Sequence, residues 1–111
     1  MKFPNVGERI TMRRRIEKMW HAGDKIFDQM VESETLERDA RADLHRADGL
    51  AEEAYTENDS QEFTRMMNVV YQAEIRLAAA QANLRKAEAN WMAMAQEFNC
   101  YLDDAKRLCV V

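Results

Sequence analysis

The sequence predicts an all-α fold, a long antiparallel helical hairpin that packs like a coiled coil, and three observations predict it. Fourteen apolar residues recur from Phe63 to Leu108 at unbroken three-then-four spacing, the mark of one helix with a single a/d seam. The chain of 111 residues holds three Gly and one Pro, far too few for a loop-rich or all-β fold. Folding the chain back at Asn58/Asp59, so that facing positions sum to 117, sets a small seam residue against a large one at nearly every level. Facing layers built this way interdigitate without voids. The length predicts a single helical domain, 1–111.

The first arm is predicted over about 6–56. Asn5 followed by Glu8 has the spacing of a capping box, placed just after Pro4. The seam then runs Met12, Ile16, Met19, Gly23, Ile26 and Met30, passes the weak pair Ser33 and Glu37, and resumes at Ala40, Leu44, Ala47, Ala51 and Ala54. Gly23 costs roughly 1 kcal/mol against Ala in a helix interior. Ala22-Gly23-Asp24 therefore either stays helical or ends a short N-terminal helix, with Asp24 capping the next, and the sequence leaves both readings open. Glu37 on the seam predicts poor packing there or a local shift onto Leu36.

The turn is predicted at 57–60, Glu57-Asn58-Asp59-Ser60, the only turn-like cluster in the interior. Asp59 with Glu62 can cap the second arm, which is predicted to run unbroken over about 60–108. At ~1.5 Å per residue that arm is about 70 Å long. Leu77 and Leu84 lie on its seam, and truncating either to Ala is expected to cost roughly 2–5 kcal/mol if the burial is complete.

A second apolar stripe lies opposite this seam. It contains Tyr71, Ile75 and Met92, flanked by Met67 and Val69. Apolar faces on both sides of a helix predict burial on both sides. A homodimer forming a helical bundle is the expected cover, ahead of a third helix packing there, and it would relieve the poor surface-to-volume ratio of a lone rod.

The chemistry-bearing residues form no constellation. His21 with Asp24, and His45 with Asp48, have a spacing that suits paired ligands, yet metal-binding bundles need several inward carboxylates. Here Glu37 is the only acid on the seam. No nucleophile elbow, phosphate-binding loop, paired-Cys metal pattern or metalloprotease motif is present. The expectation is no enzyme, no cofactor and no metal. No run of eighteen apolar residues occurs, so no membrane span is expected. The opening residues Met1-Lys2-Phe3-Pro4-Asn5 lack an apolar signal core. Cys100 and Cys109, nine residues apart on one helix, cannot bridge without melting it. Two free thiols suit a cytoplasmic location.

Charge is unevenly spread. Residues 1–25 carry a balance of +4, residues 28–62 a balance of −9, and the whole chain −4. Within the basic segment, Arg9, Arg13, Arg14 and Lys18 are a candidate phosphate-binding patch. The neighbouring acidic region opposes nucleic acid and has itself the charge of a nucleic-acid mimic. The resulting expectation is a non-catalytic protein-binding module, an inhibitor or adaptor that occludes a larger host complex. A bacteriophage or mobile-element accessory protein, with an anti-defence role, fits that description. Its binding residues would be Tyr71, Ile75, Met92 and Met67. The alternative is a nucleic-acid-binding accessory protein that uses the basic N-terminal helix.

Overall fold

The structure, a computed structural model, describes residues 5–107. Pro4, Leu108 and Cys109 lie outside them. Two helices, α1 (Val6–Thr56) and α2 (Ser60–Arg107), account for nearly all the described residues. The chain is an all-α helical hairpin, with no strand among the described residues. It divides into two compact units, Val31–Lys86, which contains the turn, and Met1–Met30 with Ala87–Val111.

Helix α1 opens on a reciprocal capping box. The Glu8 amide donates to Asn5 Oδ1 at 2.8 Å, and the Asn5 amide donates to Glu8 Oε2 at 3.2 Å. Two amides that have no partner inside the helix are satisfied by one pair of side chains. The helix then continues through Gly23 without a break. No described glycine takes a positive φ, so Gly23 keeps ordinary helical backbone, and a break with Asp24 as a cap does not form.

The turn follows from its hydrogen bonds. Asn58 adopts φ 57°, the only positive φ among the described non-glycine residues. The Asp59 amide reaches back to the Ala54 carbonyl at 3.0 Å, and the Asn58 amide to the Tyr55 carbonyl at 3.2 Å. This pair of bonds is a Schellman motif, with Asn in the left-handed position that Gly usually fills. Asp59 then starts α2, accepting from the Glu62 amide at 3.1 Å. The box is only half made at this end, because the Asp59 amide is already used by the Schellman bond. Glu62 turns instead to Arg65, whose Nε donates at 2.9 Å. That hydrogen bond holds the Glu62 carboxyl below its ordinary pKa.

In the Val31–Lys86 unit, Ala47, Ala51, Met66 and Val70 form a buried cluster, with Leu44 and Phe63 packed against it. Ala54 and Ala73 are buried as well. Alanine on one arm lets the backbones approach, and Met66 and Val70 on the other fill the space. The seam keeps its phase through the weak middle. Glu37 is half-buried while Leu36 is 57% exposed, so no shift onto Leu36 occurs. The Glu37 carboxylate is satisfied by Arg41, one turn on, which pairs with Oε1 through both Nε and a terminal nitrogen. Leu77 and Leu84 are half-buried rather than buried, which lowers the cost expected for truncating them.

In the other unit, the seam residues Met12, Ile16, Met19, Ile26 and Met30 are half-buried, and Ala105 is fully buried. Gly23 faces Met94. A Cβ built on the glycine would meet Met94 Cε at 3.4 Å, ordinary van der Waals contact.

Candidate protein-binding surface

The most distinctive surface lies in the Met1–Met30/Ala87–Val111 unit, and four aromatic residues build it. Trp20 and Phe27 sit one heptad apart on α1, each one position past a seam residue. Trp91 and Phe98 sit one heptad apart on the seam of α2. The antiparallel register brings them together in pairs. The Trp20 and Phe98 rings are 5.9 Å apart between centroids and inclined at 59°. The Phe27 and Trp91 rings are 6.1 Å apart and inclined at 56°. Both geometries fall in the favourable tilted range for aromatic pairs.

Between the two pairs, about 10 Å apart along the helices by their seven-residue spacing, the surface sinks into a groove of 260 Å³. Small residues cause the depression. Gly23 on α1 contributes no side chain and Ala95 on α2 only a methyl, and Met94, which faces Gly23, lines the groove with them. Asp24 is the one charged residue in the lining. It is exposed and makes no ion pair among the described residues. One turn beyond Phe98, the Arg15 guanidinium lies over the Tyr101 ring, 5.3 Å from its centroid.

The residues expected from sequence to bind a partner divide between the two units. Met67, Tyr71 and Ile75, at successive four-residue steps, make one continuous exposed row on α2 in the Val31–Lys86 unit. Met92, 65% exposed, belongs to the other unit, where it stands three residues before Ala95 and on the same face. The basic residues Arg9, Arg13, Arg14 and Lys18 are all exposed on α1. They form two pairs, Arg9 with Arg13 and Arg14 with Lys18, which point roughly 140° apart on a helix of 3.6 residues per turn. They make no single patch.

His21 and His45 are exposed. No three His, Cys, Asp or Glu residues among those described are grouped as a metal ion would need. Cys100 is exposed and unbridged. No described helix is long and apolar enough to cross a membrane. A second depression, at the turn, is lined in part by Tyr55, Asn58, Asp59 and Phe63, where the backbone amides of Asn58 and Asp59 and the Asp59 carboxylate hold the turn.

Sequence periodicity placed Trp91 and Phe98 on the seam and passed over Trp20 and Phe27. The available signal was the matched seven-residue spacing of aromatics on the two arms, which acquires meaning only once the register is known. Comparison with family models, curated proteins and solved structures finds no match to the chain.

Proposed function

We propose that this chain is a non-catalytic protein-binding module, a small inhibitor or adaptor of the phage or mobile-element accessory type, which occludes a site on a larger host complex. One observation carries this reading, an inversion of side-chain size. Among the described residues, five of the seven that are fully buried are Ala, while thirteen large apolar side chains are exposed. Single exposed apolar residues need no explanation, but grouped ones mark interaction surfaces. Here five of the thirteen are grouped, Met67, Tyr71 and Ile75 as the row and Trp20 and Phe27 at the aromatic groove. In this reading the row pairs with a second copy of the chain in the free protein, and the row and Met92 meet the foreign protein in the complex.

The test is affinity capture with the full chain from its native host, followed by binding assays at two salt concentrations. Foreign-protein binding through these apolar residues should change little with salt and fall sharply on Tyr71→Ala, in the row, or on Met92→Ala, in the other unit. Nucleic-acid binding through Arg9, Arg13, Arg14 and Lys18 would instead weaken steeply with salt and with Arg14→Glu. A shift of duplex or single-stranded DNA by submicromolar protein near physiological salt would overturn the protein-binding reading.

A further inference from the structure

The geometry points to the aromatic groove as a receptor for an arginine side chain presented by a partner protein. This inference rests on the protein-binding reading and adds to it a site and a chemistry.

Size is the first argument. At 260 Å³ the groove falls below the roughly 300–1,000 Å³ of pockets that enclose drug-sized ligands. It has room for one long side chain, the scale of an interface anchor. The walls come next. The ring pairs are tilted rather than face-stacked, so the two rings of a pair do not blanket each other, and Trp20 stays 60% exposed. Aromatic faces carry negative charge density and attract a cation within about 6 Å, Trp most strongly.

Asp24 decides between an apolar and a cationic occupant. An apolar anchor seated there would strip water from the carboxylate and offer nothing in return. A cation satisfies the ring faces and the carboxylate together. Between the two cationic side chains, arginine fits better. Its planar guanidinium is weakly hydrated, stacks on rings and forks onto a carboxylate, whereas the lysine ammonium is compact and strongly hydrated. The chain itself uses this contact nearby, with Arg15 over Tyr101 at 5.3 Å.

The two Trp of the chain both line the groove, so their indole N–H signals in NMR report on it directly. The full-length protein is titrated with the blocked tripeptide Ala-Arg-Ala, and in parallel with the same peptide carrying citrulline or leucine at its centre. The arginine peptide should shift both indole signals saturably, with at least threefold tighter binding than either control. Asp24→Asn, at an exposed position and with its fold checked by circular dichroism, should weaken the arginine peptide at least threefold. Phe27→Leu, which keeps an apolar side chain but removes a ring face, should weaken it as well.

Equal binding of the leucine or citrulline peptide, full affinity in Asp24→Asn, or indole signals that do not move would each overturn the inference. Any of these results leaves protein capture through Tyr71 and Met92 standing. Conversely, DNA binding with no captured protein defeats the functional reading without touching the peptide result.

Discussion

Asn58 and Gly23 are the two positions where backbone freedom and side-chain chemistry pull in different directions. Asn58 holds φ 57°, a conformation that costs an ordinary L-residue roughly 1–2 kcal/mol and Asn less. Asn58→Ala should therefore lower stability by about 1 kcal/mol in urea unfolding, while Asn58→Gly should match or exceed the parent. Gly23 is the opposite case, an ordinary helical residue with no positive φ. A methyl there meets Met94 Cε at a comfortable 3.4 Å, so Gly23→Ala should raise stability by up to about 1 kcal/mol, read as a higher thermal midpoint. If Ala at this position destabilises the protein, the helix is not regular there. At this scale the turn residues and both caps were legible, because capping follows from residue types at fixed offsets. The division of roles at Asp59 was not, since it depends on which amide the Schellman bond has already taken.

At the level of the helices, periodicity carried most of the information. Each described seam position from Met12 to Ala54 and from Phe63 to Ala105 is buried or half-buried, the weak Ser33 and Glu37 included. A helix cannot shift phase for two residues without displacing the rest, and the Arg41 partner makes Glu37 tolerable where it falls. Depth of burial was less legible. Leu77 and Leu84 share the pattern of Met66 and Val70, yet only the latter two are fully buried, opposite the alanines that draw the arms together. Met66→Ala should therefore cost about 2–5 kcal/mol, and Leu84→Ala clearly less, in denaturant unfolding of the two variants. Equal losses would mean that the packing is uniform along the seam. The groove was missed for a related reason. Trp20 and Phe27 lie one step off the seam, and periodicity alone does not say what such a position faces.

For the whole molecule, the exposed apolar row Met67, Tyr71 and Ile75 bears on assembly. A hairpin with a largely alanine core gains apolar burial by pairing with a copy of itself. Ile75→Glu places a charge in the middle of the row and should give a monomer in light scattering while keeping most of its helicity. If the parent protein is already monomeric at tens of micromolar, a foreign protein covers that row instead.

The Schellman turn also bears on the order in which the chain comes together. Contacts beside it join near neighbours: Tyr55 and Phe63 are eight residues apart. At the far ends of the arms, Trp20 and Phe98 are 78 residues apart. Closing the longer loop first costs about 2 kcal/mol more than closing the shorter one, so pairing should start at Asn58 and run outward like a zip. Ala51→Gly, near the start, should slow refolding in stopped-flow measurements. Trp20→Ala, near the finish, should leave refolding almost unchanged and speed unfolding. A refolding rate that falls as much for Trp20→Ala as for Ala51→Gly would place the rate-limiting step away from the turn.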